Sequence, residues 1–188
     1  VSCVNVISSS HYVLRLVNGK ICCPSVNMSM NKCPYISGIC CNPFQDLNSV
    51  ICSISYSSFA DNHASVYICL YLWITGAKYE IKSCNFLRNA QGTYNNGGTI
   101  CTVGNLMIEN SCFLENNVLY NFYHGSSSYT TTLVNCTADS TSKTGNLVIQ
   151  NTVTKSFIHA LNLMSTRNCH AEYDSAGKLT PDIQSPSP

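Results

Sequence analysis

Charge is scarce in this sequence. Asp, Glu, Lys and Arg make up 10% of its 188 residues, against about 25% in an average soluble protein. With a formal net charge of +1 and no basic run, the chain lacks the clustered Lys and Arg that a nucleic acid or an anionic membrane surface requires. Neither is expected as a partner. Long apolar runs are lacking too. The longest, "ASVYICLYLWITGA" from Ala64 to Ala77, is 14 residues, short of the roughly 20 that a membrane helix needs, so no transmembrane segment is expected in this chain. No two cysteines stand in a C-x-x-C spacing, which removes the usual zinc-knuckle and thioredoxin signatures. His11, His63, His124, His159 and His170 show no H-E-x-x-H spacing. The stretch from Asn95 to Gly98, "NNGG", is followed by neither Lys nor a helical pattern, so it is not a phosphate loop. Neither a metal nor an organic cofactor is expected. Position 1 is Val with no leader pattern after it, and the chain reads as a fragment or a mature form.

Polarity comes instead from Ser (25 residues) and Asn (21 residues), a quarter of the chain. Cysteine is abundant, with 13 residues, and that excess points to an oxidising, extracellular compartment. Six of them fall in the first 41 positions: Cys3, Cys22, Cys23, Cys33, Cys40 and Cys41. This cluster reads first as a disulfide-stapled cap, with buried free thiols or a metal site as alternatives. Two sequons, Asn27-Met28-Ser29 and Asn135-Cys136-Thr137, offer Asn27 and Asn135 for N-glycosylation in a eukaryotic secretory setting.

The chain also repeats itself. Phe59, Phe86 and Phe113 are 27 residues apart, and so are Asn62, Asn89 and Asn116, Ile54, Ile81 and Ile108, and Ser57, Cys84 and Ser111. One column between them varies freely in charge: Asp61, Arg88 and Glu115. Fixed apolar columns beside a variable one distinguish an inside from an outside. Period-2 alternation around Ile81 and Ile108, with turn clusters such as "TYNNGG" (Thr93 to Gly98), indicates short strands. No segment shows a capped helical stripe. Short strands on a 27-residue period predict an all-β fold, a right-handed parallel β-helix with about 27 residues per coil and coils stacked about 4.8 Å apart. In that stack the isoleucines form an apolar column, the phenylalanines an aromatic stack and the asparagines an amide ladder. A ligand site on the asparagine ladder is the sharper alternative. Asp61, Arg88 and Glu115 come within ion-pair reach on one outer face. They form a surface charge ladder or, in the competing reading, an active-site face.

The period loosens at both ends. Leu133, Cys136, Ala138 and Thr141 follow the last full copy at a spacing of 25, and "GNLVIQN" (Gly145 to Asn151) echoes "GNLMIEN" (Gly104 to Asn110) at 41, so a loop or partial coil is expected between them. Upstream of residue 50 the columns vanish, and the Phe position would hold Lys32. The domain reading is therefore an irregular, cysteine-rich cap at 1–50, β-helix coils at 51–177 and a Ser/Pro-rich linker or stalk from residue 178 to 188.

Phe59-x-x-Asn62, Phe86-x-x-Asn89 and Phe113-x-x-Asn116, with Gly97-Gly98-Thr99-Ile100 between the last two, resemble the F-x-x-N and G-G-[AILV]-[ILVY] repeats of polymorphic outer-membrane (Pmp) proteins. Thr99 stands where that family has a small aliphatic residue. The Ser or Cys two positions before each Phe also resembles the cysteine-containing β-helix surface proteins of parasitic protozoa, in which "NCHAEYDSAGKLT" (Asn168 to Thr180) would lie near the last coil, before a stalk and a membrane anchor. The resemblance covers residues 50 to 150. It implies a pectin-lyase-like solenoid at the cell surface or secreted, acting as an adhesin or antigen on host cells or extracellular matrix.

Catalysis is not expected. A polysaccharide-cleaving β-helix needs converging acidic groups for calcium or acid–base work, and Asp61, Asp139 and Asp174 are isolated in sequence. The function read from the chain is non-catalytic display or adhesion. The alternatives are a carbohydrate-binding or polysaccharide-cleaving β-helix, or a piece of a longer solenoid without a function of its own.

Overall fold

Every coil is built from strands whose side chains alternate between a shared interior and the outside. The computed structural model describes residues 1–9, 11–44, 46, 48–93 and 95–152, with the backbone of a short antiparallel pair at Ala171–Tyr173 and Leu179–Pro181. Apart from that pair, the expected linker at 178–188 and the residues Cys169, His159, His170 and Asp174 lie outside the described residues. Strand β1 (Ser2–Val4) leads into a first coil of β2 (Tyr12–Val17), β3 (Ile21–Pro24), β4 (Asn27–Ser29) and β5 (Lys32–Cys33). The second coil holds β6 (Ile36–Asn42), β7 (Val50–Ser55), β8 (Ser58–Ala60) and β9 (His63–Ala64). The third holds β10 (Tyr67–Leu72), β11 (Lys78–Lys82), β12 (Asn85–Leu87) and β13 (Ala90–Gln91). The fourth holds β14 (Gly98–Thr102), β15 (Asn105–Glu109) and β16 (Cys112–Leu114), and the fifth β17 (Phe122–His124), β18 (Thr130–Val134) and β19 (Thr137–Ala138), before β20 (Asn146–Gln150).

Equivalent strands of successive coils pair in parallel. The five strands β2, β6, β10, β14 and β17 form one sheet, here sheet I. Sheet II is β3, β7, β11, β15, β18 and β20; sheet III is β1, β4, β8, β12, β16 and β19; and β5, β9 and β13 make a short corner sheet. The chain is thus an all-β parallel solenoid of about five turns, with no helix among the described residues.

The interior follows the repeat. Ile54, Ile81 and Ile108 are in register on sheet II and buried. Phe59, Phe86 and Phe113 are in register on sheet III, with ring centroids 5.0 and 4.6 Å apart and planes within 6° of parallel. At the bend after sheet III, Asn62 Nδ2 donates to Asn89 Oδ1 (3.1 Å) and Asn89 Nδ2 to Asn116 Oδ1 (2.9 Å). The same oxygens accept the backbone N–H of the asparagine one coil back, at 3.1 Å, and Asn89 Nδ2 also donates to the Phe59 carbonyl. Each amide therefore satisfies backbone groups that a buried bend would leave unpaired. At the bend between sheets II and III, the Ser111 hydroxyl accepts from the Cys84 N–H, while the Cys84 and Cys136 thiols donate to the carbonyls of Lys82 and Val134. Small buried Ser and Cys are interchangeable at this bend.

Both bends use left-handed backbone at non-glycine residues. Ser25, Tyr56, Ser83, Asn110, Asn135 and Asn151 turn the chain out of sheet II, and Asn5, Met30, Asp61, Arg88 and Glu115 turn it out of sheet III, all with φ between 48° and 57°. That conformation costs an L-residue of order 1 kcal/mol or more, and it recurs because the coil shape demands a corner at fixed ladder positions.

One expectation needs correction. The columns do not end at residue 50. Cys23 pairs with Ile54, Met28 with Phe59, and Asn31 donates its N–H to Asn62 Oδ1 (3.1 Å). The spacing there is 31 rather than 27, because the connection from β6 to β7 is longer than its counterparts, and a search at a fixed period steps past the register onto Lys32, which is exposed in β5. Cys3, Cys22, Cys23, Cys33, Cys40 and Cys41, expected as a disulfide cap, lie along the first two coils. Of these six, Cys23, Cys33, Cys40 and Cys41 are buried. Downstream, β15 and β20, which carry the echoed "GNLMIEN" and "GNLVIQN" segments, lie in one sheet with β18 between them. A truncated last step accounts for the 41-residue spacing.

Candidate binding face

Sheet I has an outer face unlike the rest of the solenoid. Its inward row runs Leu14, Ile39, Leu70, Ile100 and Phe122. The outward row beside it runs Arg15, Cys40, Tyr71, Cys101 and Tyr123, and a second outward row runs Tyr12, Ile36, Tyr67 and Gly98. Ile36, Cys40, Val66, Tyr67 and Cys101 form a buried cluster separate from the main core, and Tyr12, Tyr35, Tyr71 and Tyr123 pack onto it. Small Cys40 and Cys101 on either side of Tyr71 leave room for its ring to lie against the sheet.

The rings form a connected layer. Tyr67 and Tyr71 stack at 4.3 Å, Tyr71 meets Trp73 edge-on at 4.9 Å, Tyr35 meets Tyr67 edge-on at 5.3 Å, and His11 meets Tyr35 at 5.7 Å. Tyr120 and Tyr123 continue the layer on the fifth coil at 5.9 Å. The Arg15 guanidinium lies over the Tyr12 ring, 5.4 Å from its centroid. Tyr67 is 8% exposed and Trp73, the chain's single tryptophan, 46%, so the layer is sealed at its centre and open at its rim. Six of the eleven tyrosines lie here, whereas the interior stack on sheet III is built of Phe, with one tyrosine, Tyr79, buried in the interior on sheet II. A phenol carries an apolar ring and a polar tip, which suits a surface in contact with water. Burial pushes the ionisation of Tyr67, Tyr71 and Tyr123 upward, so these hydroxyls stay protonated. Burial likewise pushes the Cys40 thiol up to about 11 and the Cys101 thiol higher still, so neither is a nucleophile at neutral pH.

Charge is segregated from this face. The strands of sheet I carry one charged side chain, Arg15. On sheet II, Lys82 Nζ pairs with Glu80 at 2.8 Å and with Glu109 at 3.3 Å. At the bend after sheet III, Arg88 Nε and Nη2 donate to the two oxygens of Asp61, both at 2.8 Å. Glu115 belongs to the same column, but the fork of Arg88 is turned to Asp61 alone, and the Asp139 carboxylate accepts from the Glu115 N–H. Of the three charged residues read as one ladder, two are joined directly. Among the described residues no three His, Cys, Asp or Glu side chains converge as metal ligands.

Two buried glycines hold sheet I together. A β-carbon on Gly98 would fall 1.9 Å from the Tyr120 carbonyl oxygen, and one on Gly38 would fall 1.9 Å from that of Cys69. Backbone from adjacent coils meets too closely at these points for any side chain. The Gly97-Gly98 pair is therefore a packing element at the foot of the aromatic face. Of the two sequon asparagines, Asn135 is exposed on a left-handed corner, and Asn27 is half-buried on β4 with its Oδ1 accepting from the Ser29 hydroxyl.

The aromatic face was not legible as a site in the sequence. In "YICLYLW" (Tyr67 to Trp73) the signal is present as alternation, with Leu70 and Leu72 inward and Tyr71 and Trp73 outward. Its partners Tyr12, Tyr35 and Tyr123 fall at irregular spacings, because the loops flanking sheet I vary in length from coil to coil. The chain matches no protein-family model, no curated protein and no solved structure.

Proposed function

We propose that this chain is a non-catalytic solenoid scaffold, displayed at a cell surface or secreted, that adheres to host-cell or extracellular-matrix surfaces through the outer face of sheet I. The observation carrying this reading is the segregation of side chains: six of the eleven tyrosines and the single tryptophan collect on one face with a single charged residue, while the ion pairs occupy sheet II and the bend after sheet III. Exposed aromatic rings with polar tips are the side chains most enriched at recognition surfaces. Surface display follows the resemblance to Pmp-type repeats. The F-x-x-N and Gly-Gly positions that carry the resemblance are the ones that stack the coils here. A role without turnover is supported by the fate of the acidic groups. Asp61 is paired with Arg88, and Glu80 and Glu109 with Lys82, so these carboxylates are held in ion pairs and do not converge on a shared site. The test is adhesion of the purified chain to host cells and matrix proteins, run beside polyuronide cleavage with and without calcium. Adhesion without cleavage is expected. Lyase or hydrolase activity lost on changing Asp61 or Glu115 would overturn it.

A further inference from the structure

We infer that the ligand of the sheet I face is a neutral glycan chain, lying across the coils along the solenoid axis; this rests on the adhesive reading above. Three properties of the face select that chemistry. The first is charge. An acidic glycan or a phosphorylated ligand needs several cations, and the strands of this sheet supply Arg15 alone, already over the Tyr12 ring. A basic ligand needs carboxylates, and these strands carry none. A neutral ligand loses least on being desolvated here.

The second is the form of the aromatic surface. Tyr67 and Tyr71 cover one another's faces, and Tyr67 is nearly buried. What the layer offers outward is phenol tips, ring edges and the half-open indole of Trp73, and not a broad greasy patch of the kind a protein partner buries. Sugar rings are matched to such a surface. Their C–H faces pack on an indole or phenol ring, and their hydroxyls exchange hydrogen bonds with phenol groups that stay protonated. Asn42, half-buried beside Val17 on the same sheet, and the exposed Asn95 and Asn96 leading into β14 place amides at the rim.

The third is periodicity. The face spans the five strands of sheet I, about 19 Å at the usual strand spacing, and aromatic residues recur on four of those five coils: Tyr12, then Tyr67, Tyr71 and Trp73, then Tyr123, with Tyr35 preceding β6. A linear polymer of like units is the ligand that uses a recurring surface.

The single tryptophan makes the test direct. Neutral oligosaccharides of glucose, mannose and N-acetylglucosamine would be titrated while Trp73 emission is followed, with calorimetry for variants, and polygalacturonate and a sulfated polysaccharide as charged comparators. At least one neutral series is expected to shift Trp73 emission saturably, to bind more tightly with chain length, and to block adhesion. Trp73→Ala, at the open rim where the fold is not at stake, and Tyr71→Phe, which keeps the ring and removes the hydroxyl, are each expected to weaken binding about tenfold or more, the scale of one lost charge-free contact set of about 1.4 kcal/mol. Lys82→Ala on sheet II should leave binding unchanged. Adhesion that depends on Trp73 but is untouched by every neutral glycan, or that is blocked only by the charged comparators or by removing surface proteins, overturns the glycan inference and leaves the adhesive face standing. Adhesion indifferent to Trp73 and Tyr71 overturns the adhesive face itself.

Discussion

Replacing Phe86 by Ala removes the central ring of the interior stack. Phe86 is fully buried between Phe59 and Phe113, whose centroids lie 5.0 and 4.6 Å away. Loss of a buried Phe side chain costs about 3–5 kcal/mol. The upper half of that range is expected here for two reasons. Each stacked pair contributes about 0.5–1.5 kcal/mol beyond its buried area, and the strands on either side are held at fixed spacing by the asparagine ladder, so the cavity cannot collapse. Arg88→Ala, two residues along and on the outside, removes an exposed ion pair worth about 1 kcal/mol or less. It leaves the left-handed corner as strained as before, since Ala is no better there than Arg. In urea, with a slope of about 2 kcal/mol per molar, the midpoint should fall by about 2 M for Phe86→Ala and by less than about 0.5 M for Arg88→Ala, read by far-ultraviolet circular dichroism and Trp73 emission. Equal shifts for the two variants would refute the assignment of Phe86 to the inside and Arg88 to the outside.

Asn89→Leu should cost about 2–6 kcal/mol, because it strands the Asn62 N–H and the Phe59 carbonyl in a buried bend at about 1–3 kcal/mol each; a denaturation midpoint within about 0.5 M of the parent's, on the same slope, would contradict the ladder. Gly98→Ala should lower the yield of folded protein and abolish binding at the aromatic face, since its β-carbon would meet the Tyr120 carbonyl; Gly19→Ala, with open space around it, should cost about 1 kcal/mol from its left-handed φ alone, and thermal melts of the pair separate the two causes. Stability should fall on acidification below the ordinary histidine pKa of about 6.5, because burial lowers the pKa of His124 while its ring bonds the Thr144 carbonyl and Thr131 hydroxyl. The unfolded chain then binds the proton first, so stability is full above about pH 6.5 and is lost as pH falls toward the folded-state value; a His124→Gln variant should lose that part of the dependence, and an unchanged profile would rule His124 out. Alkylation of the native protein, mapped by mass, should modify exposed Cys22 and spare buried Cys84, Cys101 and Cys112 until the chain is unfolded; protection of Cys22 as a disulfide would establish the stapled cap.

Where the sequence was legible, the reason is geometric. Sheets II and III kept a spacing of 27 over three coils, so Ile54, Phe59, Asn62 and their equivalents aligned by simple counting, and each column marked an inward position. The first coil was lost to counting because the connection from β6 to β7 lengthened the step to 31, although Met28 and Asn31 occupy the same ladder places as Phe59 and Asn62. The cysteines occupy places that the interior fixes. Cys84 and Cys136 alternate with Ser at a bend where a small, weakly polar side chain donates to a carbonyl, and Cys23 lies under the first coil in the place of an isoleucine. Their number reflects a tight interior as readily as an oxidising compartment. The outer face of sheet I escaped because outward positions answer to a ligand and not to the stacking of coils, so no column of identical residues records them.

The central claim is that adhesion belongs to the neutral aromatic face of sheet I and not to the charged faces. A side-by-side adhesion assay settles it, with two double variants of similar size measured on the same cells and matrix: Tyr71→Phe with Trp73→Ala on sheet I, and Glu80→Gln with Lys82→Ala on sheet II. Both pairs of residues are partly or largely exposed, and circular dichroism should show both variants folded. The first variant is expected to lose most of its adhesion and the second to retain it. Retention by the first together with loss by the second would place the binding surface on sheet II and contradict the account.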